Sequence, residues 1–366
     1  MNQIKHHTIK SLFLLLTLIF WVQSNAQTIK KVNGELLKIS ELEAEVQKIM
    51  NQVKMSGLSI AIINDSKLAY HNTFGVVNSE TKIKITKDHI FEGASLSKPI
   101  FAYFVMKMVD KGLLDLNKPL HDYFPHPAIS QSSIEDYKLI TAKMILSHSS
   151  GFPNFSEGQK INLPFKPGNG FLYSGEGYQY LAAVIGKLNG VGWKDKFNEI
   201  FKNQVTKPLS MKHTSFLWND HLEKHKVYGH ENGTPTSNGT GGWSGKTFNA
   251  FSSIHSEALE YSKFIITMLK QEGLSQESFT EMLKEQNTFS PSNQLFKETG
   301  QTGWGLGFAQ KPTAYGTMHL HTGNNHDFQA YTMFIPDQKY GIVLFTNSDK
   351  MLPFIQKLNT ILGEQF

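Results

Sequence analysis

A serine and a lysine three residues apart, Ser95 and Lys98, lie in the stretch GASLSKPIFA, which covers residues 93 to 102. A serine hydroxyl is a weak nucleophile until a neighbour takes its proton, and a lysine amine can do so only where burial or nearby cations lower its pKa from about 10.4. Pro99 fits a first helical turn, where its missing N–H is not needed. The spacing therefore predicts that Ser95 lies at or next to a helix start and that Lys98 faces it one turn later.

The same spacing has a simpler interpretation, in which Ser95 caps the helix and Lys98 is a solvated first-turn charge. A second Ser-x-x-Lys, Ser79 to Lys82, lies in a polar turn between predicted strands, where both side chains are expected to be solvated. Ser95 differs because it begins a long apolar helix, whose free N–H groups suit a developing oxyanion. This context makes Ser95 the stronger candidate.

Two later stretches supply further polar groups. FLYSGEGY places Tyr173 in a glycine-rich segment before a helix predicted from Gly177, and HLHTGN ends a predicted strand. Alone, such a tyrosine is often a hydrophobic staple and a Thr-Gly pair is often a turn. In the order Ser-x-x-Lys, Tyr-x-Gly and His-Thr-Gly, however, the stretches resemble the three motifs of the serine β-lactamase and penicillin-binding protein superfamily. The resemblance is to the branch with class C β-lactamases, D-Ala-D-Ala carboxypeptidases and related esterases.

The resemblance extends beyond the motifs. Connecting segments similar to those of the family occur in family order across nearly the whole chain: residues 113–120, 123–125, 145–153, 208–211, 303–307 and 340–348. The implied fold class is α+β, of the β-lactamase/transpeptidase type. An antiparallel sheet with flanking helices comes from both chain ends, beside a mostly helical part, with Ser95 in the cleft between them.

The resemblance also implies the catalytic roles. Ser95 would be the acylated nucleophile, Lys98 its proton acceptor, and Tyr173 the second member of the proton relay. The backbone N–H groups of Ser95 and Asn324 would form the oxyanion hole. His321, Thr322 and Gly323 would line the opposite wall of the cleft on an edge strand.

Two positions depart from the best-studied members. Gly175 stands where many have an asparagine that would hold a substrate amide, and His321 stands where efficient β-lactamases have lysine. Histidine, with an ordinary pKa near 6.5, is mostly neutral above pH 7. We therefore expect ester or small amide substrates to be favoured over efficient β-lactam hydrolysis, and carboxylate binding to improve as the pH falls toward 6.

Other hypotheses remain open at this stage. β-Lactams or D-Ala-D-Ala cell-wall peptides are alternative substrates. His319, His321 and His326 have a spacing that a metal site could use, although the resemblance implies no metal or cofactor. A non-catalytic cell-wall binder would keep the fold without turnover, but Ser95, Lys98 and Tyr173 are all present.

Periodicity places these motifs on elements. Residues 40–55 form a predicted helix with Ser40 and Glu43 as a capping box, and strands are predicted at 58–63, 68–77 and 82–85. Further predictions are helices at 98–111, 141–147, 177–188, 193–205 and 257–270, a long surface loop at 229–251, and strands at 317–322, 328–335 and 341–346. This order implies one mixed sheet assembled from both chain ends.

The predicted organisation is a leader followed by one catalytic unit. Residues 1–26 have the lysines, apolar run and small-x-small end of a secretory signal peptide, and the run is short for a membrane anchor, the alternative. Residues 27–366 form the unit, with 27–92 and 290–366 in its sheet-containing part and 93–289 in its mostly helical part. We expect a secreted protein, of a bacterial periplasm, without a stable membrane anchor after cleavage.

Composition limits the partners and the chemistry. The 366 residues are 40% hydrophobic, which is enough for a large core. The absence of cysteine excludes disulfides and thiolate nucleophiles, and all 36 basic residues are lysine, so no arginine can hold an anion. The net charge of +5 is spread along the chain, which does not indicate nucleic-acid binding. The expected partner is a small-molecule or peptide substrate with an amide or ester bond.

Overall fold

The structure, a computed structural model, describes residues 27–192, 195–236 and 245–363. The signal peptide predicted for residues 1–26 lies outside this range. Among the described residues, no helix is long and apolar enough to cross a membrane.

Strands and helices alternate irregularly along the chain. The strands are β1 (Thr28–Lys30), β2 (Leu36–Lys38), β3 (Gly57–Asn64), β4 (Lys67–Gly75), β5 (Phe91–Ala94), β6 (His230–Glu231), β7 (Thr234–Pro235), β8 (Ile254–Ser256), β9 (Asn287–Thr288), β10 (Gly303–Trp304), β11 (Ala309–Thr313), β12 (Gly316–Asn324), β13 (Gln329–Ile335) and β14 (Tyr340–Thr346). The helices are α1 (Ile39–Val53), α2 (Ser97–Asp110), α3 (Ile134–Tyr137), α4 (Ala142–Leu146), α5 (Glu176–Leu188), α6 (Asp195–Phe201), α7 (Asp220–His225), α8 (Ala258–Lys270), α9 (Gln276–Leu283), α10 (Gln294–Thr299) and α11 (Met351–Leu362).

The main sheet joins both ends of the chain. Within the described ranges it has eight strands in the order β4-β3-β14-β13-β12-β11-β10-β9, and every pairing is antiparallel. The predicted α+β class with an antiparallel sheet from both chain ends is confirmed. The expectation of a mixed sheet was wrong, because strand patterns in a sequence carry no information about strand direction.

Alternation along β3 shows why the sheet is covered on both faces. Leu58, Ile60 and Ile62 pack into one core with α1 and α11, whereas Ala61 and Ile63 pack into the other with α8. Successive side chains of a strand point to opposite faces, so a continuous apolar run predicts burial on both. Each buried leucine or isoleucine contributes about 1.5–3 kcal/mol.

Several local predictions need correction. The segment predicted as a strand at 82–85 makes only an isolated bridge, between Lys84 and Val76. Helix α1 begins at Ile39 without a side-chain cap, and Glu43 instead accepts hydrogen bonds from Tyr70 and Asn72. The capping box is therefore absent, because Ser40 lies inside the helix and Glu43 binds partners on β4.

The segment 229–251 is also more ordered than a surface loop where the structure describes it. It contains the β6–β7 hairpin, and Phe248, Ala250 and Phe251 are buried in the core. Phe248 packs against Phe197, Phe201 and Phe216, with ring centroids 4.8 to 5.5 Å away. These aromatic contacts, which local composition does not reveal, hold Phe248 against α6. The carbonyl of Phe251 accepts a hydrogen bond from Lys98 of α2.

Candidate active site

Ser95 lies in a tight turn between β5 and α2. Ala94 has a φ of 45°, a left-handed conformation that is uncommon for a residue with a side chain. The Oγ of Ser97 donates a hydrogen bond to the carbonyl of Ala94 (2.7 Å) and accepts one from the N–H of Ile254 (2.9 Å). This serine therefore ties the turn to β8 and holds Ser95 at the junction.

Lys98 is the second residue of α2 and lies on the same side as Ser95. Its side chain is buried, with 1% of the residue exposed, and its Nζ lies 3.1 Å from the Oγ of Ser95. The same Nζ lies 3.1 Å from the backbone carbonyl oxygen of Phe251. Burial holds the pKa of Lys98 well below its usual value. A neutral amine in this position can donate to Phe251 and accept a proton from Ser95.

Tyr173 precedes α5 and faces the same amine. The Nζ of Lys98 lies 4.4 Å from the centre of the Tyr173 ring. Burial raises the pKa of Tyr173 above its usual value of 10, and a hydrogen bond with Ser95 partly opposes that rise. The phenol therefore stays protonated at neutral pH while it touches the serine. The structure thus brings Tyr173, which is distant in the sequence, against the neighbouring pair Ser95 and Lys98.

His148 packs under Tyr173 and was not singled out by the sequence. The two ring centroids are 4.4 Å apart, and Nδ1 of His148 accepts a hydrogen bond from the N–H of Ser174 (3.1 Å). Burial, followed by the nearby Lys98 and His321, holds the pKa of His148 well below its usual value. Its segment, residues 145–153, resembles the family, but nothing in the sequence indicated which residue it would support.

The end of β12 forms the neighbouring wall. Strand β12 lies inside the sheet, so its expected place at an edge was wrong. Its pairing with β11 nevertheless ends at Leu320, which leaves residues 321–324 free on that side. Gly323 packs against Gly93, because a Cβ at position 323 would overlap the carbonyl oxygen of Gly93. Exposure alternates along this end of the strand: His321 and Gly323 are buried, and Thr322 and Asn324 are exposed.

His321 lies in the interior beside Tyr173 and Trp304, at ring-centroid distances of 6.1 and 5.5 Å. Only 2% of the residue is exposed, and its Nδ1–H donates to the carbonyl of Thr322 (2.8 Å). Burial, followed by the nearby Lys98, lowers the pKa of His321 to about 3. The expectation that this histidine gains charge as the pH falls toward 6 is therefore wrong, because it assumed a solvated imidazole.

Gly175 lies at the residue before α5, in a position with no room for a side chain. A Cβ built there would lie 2.7 Å from the backbone oxygen of Asn154 and 2.8 Å from Cδ2 of Phe251. A side chain could be accommodated only if one of these groups moved. The asparagine that many family members have at this position would therefore not fit here, because the Asn154 backbone and the Phe251 ring take up its space.

The three histidines considered as metal ligands are not brought into one site. His319 and His321 are buried in β12, and His319 stacks on Phe334 with ring centroids 5.1 Å apart. His326 is exposed in the turn that follows. Across the described ranges, no group of three histidine, aspartate or glutamate side chains is placed to hold a metal ion.

Comparison with known families decides the assignment. The model of the family described as Beta-lactamase matches residues 42–364, which include all three motifs. The chain belongs to the beta-lactamase family. This family lies within the superfamily of serine β-lactamases and penicillin-binding proteins that the three motifs resemble.

Three of the proteins that this chain resembles share a quarter of its sequence or less. Protein flp of Staphylococcus aureus (strain MRSA252) is 25% identical over 346 residues, which cover 87% of this chain and 65% of that protein, so the chain spans just under two thirds of that relative's length. The D-alanine carboxypeptidase AmpC from Burkholderia cenocepacia has a similar structure, with a TM-score of 0.72 at 18% identity over 88% of this chain and 99% of the other. The D-amino acid amidase from Ochrobactrum anthropi gives a TM-score of 0.70 at 19% identity, over 88% and 98%. These two likenesses show the fold.

Proposed function

We propose that this protein hydrolyses ester or small amide bonds through an acyl-enzyme on Ser95. The observation that carries the proposal is the buried amine of Lys98, 3.1 Å from the Ser95 hydroxyl and held there by the Phe251 carbonyl. A lysine whose pKa is lowered by burial is a base suited to activating a serine.

Acylation then proceeds in two steps. The Ser95 hydroxyl gives its proton to Nζ of Lys98 while Oγ forms a bond to the substrate carbonyl carbon. The negative charge moves to the carbonyl oxygen, where the N–H groups of Ser95 and Asn324 would stabilise it. When this intermediate collapses, the bond to the leaving amine or alcohol breaks, and Tyr173 passes the proton from Lys98 to the leaving atom.

Deacylation repeats the sequence with water as the nucleophile. A water molecule gives a proton to the Tyr173–Lys98 pair as its oxygen bonds to the acyl carbon. Collapse breaks the bond to Oγ, and the proton returns to Ser95 as the acid product leaves. The same two side chains therefore act as base in the first half of each step and as acid in the second.

The proposed substrates lack an essential carboxylate. Buried His321 is neutral at physiological pH, because its pKa is about 3, and the chain contains no arginine. Gly175 offers no side-chain amide to hold a substrate amide. These features disfavour efficient β-lactam hydrolysis, although β-lactams and D-Ala-D-Ala peptides stay alternatives for the same serine chemistry. The carboxypeptidase and amidase among the similar structures belong to enzyme classes that cleave amide bonds.

We also propose that the enzyme is exported, on the sequence of residues 1–26 alone. Amino-terminal sequencing of the protein recovered outside the cytoplasm should begin at Gln27. An unprocessed chain starting at Met1 would contradict export by this route.

The hydrolytic proposal is tested with one substrate panel. A 4-nitrophenyl acetate ester, a D-Ala-D-Ala peptide and a chromogenic cephalosporin are compared on the wild type and on Ser95→Ala, and an acyl adduct on Ser95 is sought by intact mass. We expect ester turnover that requires Ser95, and weak cephalosporin turnover at neutral pH. Full ester activity in a folded Ser95→Ala protein would refute the mechanism, and efficient cephalosporin turnover would refute the substrate preference.

A further inference from the structure

We propose that Phe155 and Phe251 form an aromatic subsite beside Ser95 that receives an aryl group on the acyl side of the substrate. This inference rests on the proposed function, because it names the substrates of the same nucleophile. It concerns a wall of the cleft that the three motifs do not include.

The position of Phe251 ties the subsite to the reacting atoms. Its carbonyl accepts a hydrogen bond from Nζ of Lys98, and the centre of its own ring lies 5.3 Å from the same Nζ. The Ser95 hydroxyl also approaches this Nζ, at 3.1 Å. Phe251 is 8% exposed, so most of the residue is packed in the core and only a small part of it can face the cleft. The Phe251 ring is therefore within reach of an acyl group on Ser95.

Phe155 extends the wall outward. Its ring centroid lies 5.6 Å from that of Phe251, with the planes at 70°, and 54% of the residue is exposed. Two rings set nearly at right angles leave a corner in which a third ring can lie against the face of one and the edge of the other, at the separations that aromatic pairs prefer. A single exposed apolar residue is ordinary on a protein surface. Here, however, the exposed ring adjoins the residue that holds the active lysine.

The glycine before α5 makes this corner between the two rings possible. Gly175 leaves the space that a side chain would fill, and the ring of Phe251 and the main chain of Asn154 occupy it instead. A substrate therefore meets a phenyl ring where an amide side chain would otherwise extend. This exchange favours a substituent that gains from apolar contact over one that needs an amide partner.

The expected effect is a preference in turnover. Burying a phenyl group removes about 100 Å² of apolar surface from water, which at about 25 cal/mol per Å² corresponds to roughly a fiftyfold gain. We expect kcat/KM for 4-nitrophenyl phenylacetate, after correction for the hydroxide-catalysed rates, to exceed that for 4-nitrophenyl acetate about tenfold or more. Phe155→Ala should reduce this selectivity ratio about threefold to tenfold, and Phe155→Leu should reduce it less.

The matched control is Phe124→Ala. Phe124 is also an exposed phenylalanine, at 36%, and lies on a different segment, just after the turn at Leu120–Asp122. Its removal should leave the selectivity ratio at the wild-type value. An equal fall in both variants, or no fall in Phe155→Ala, would overturn the subsite.

A binding measurement separates this inference from the proposed mechanism. Phenylacetamide and acetamide are titrated by NMR into Ser95→Ala and into the Ser95→Ala/Phe155→Ala double variant, neither of which needs to turn over. Tighter binding of phenylacetamide that is lost in the double variant supports the subsite, and equal binding of the two amides refutes it. If neither ester is turned over in a Ser95-dependent way, the proposed function fails, and this titration still decides the subsite.

Discussion

Gly323 packs directly against Gly93, so that the end of β12 meets the strand that leads into Ser95. A methyl group at position 323 would overlap the Gly93 carbonyl oxygen and push these two chains apart. Asn324 is the next residue, and its N–H is expected to face the developing oxyanion. We therefore expect Gly323→Ala to displace the Asn324 N–H and to lower kcat/KM about a hundredfold. Steady-state kinetics on an ester measures this loss. Gly192→Ala is the control, since a Cβ there meets open space, and an active Gly323→Ala enzyme would show that the contact is dispensable.

The pH profile tests the state of Lys98. A general base must be unprotonated, and burial has lowered the pKa of this amine well below 10.5. The kcat/KM should therefore rise with pH only through this lowered pKa and level off well below pH 10.5, the region in which an ordinary lysine titrates. Lys98→Arg, whose side chain stays charged, should lose activity about 10³-fold or more. A rise that continues to pH 10 would contradict a neutral amine.

Tyr173→Phe separates the phenol from the ring. The ring contact with His148 and the packing near Lys98 remain, so the thermal unfolding midpoint should stay close to that of the wild type. Turnover should fall about 10²- to 10⁴-fold, which is the usual contribution of general acid–base help. An unchanged rate in single-turnover experiments would show that Tyr173 is a packing residue.

His148 should act by positioning Tyr173. It is fully buried, packs on the tyrosine ring and accepts the Ser174 N–H, so His148→Ala leaves both a cavity and an unpaired donor. We expect a loss of about 2–5 kcal/mol in the free energy of unfolding, measured by urea denaturation. His148→Asn keeps a side-chain acceptor for the Ser174 N–H. Its kcat should therefore lie between those of His148→Ala and the wild type, with little change in KM. Equal kcat in all three proteins would exclude a role in placing Tyr173.

His321 should add no pH dependence to carboxylate binding between pH 6 and 8. His321 has its pKa lowered to about 3, and a group titrating there keeps one neutral form across this whole range. The dissociation constant of a carboxylate ligand such as phenylacetate, measured by titration at pH 8 and pH 6, should change by the same factor in the wild type and in His321→Gln, within about twofold. His326→Gln removes an exposed histidine near the same strand and serves as the control. Tightening by tenfold toward pH 6 that is lost in His321→Gln would restore the charged-histidine hypothesis.

Local patterns predicted much of the secondary structure because they depend on near neighbours. The strand predicted at 58–63 lies within β3, and the helix predicted at 98–111 corresponds to α2. Thr141 caps α4 by accepting from the N–H of Met144, as a helix starting there requires. Predictions failed where the partner was distant in sequence, as for Glu43, which binds Tyr70 and Asn72, and for residues 248–251, which aromatic packing holds in the core.

The sequence by itself determined that Ser95 and Lys98 share one side of a helix start, since one helical turn brings i and i+3 together. It also determined that no arginine or cysteine takes part in the chemistry. Only the tertiary structure decided the ionisation of the site. Whether an amine or an imidazole is charged depends on the water removed by packing from remote segments. Lys98 is desolvated beside Tyr173 and Phe251, and His321 beside Trp304 and Tyr173, and none of these neighbours is close in the chain.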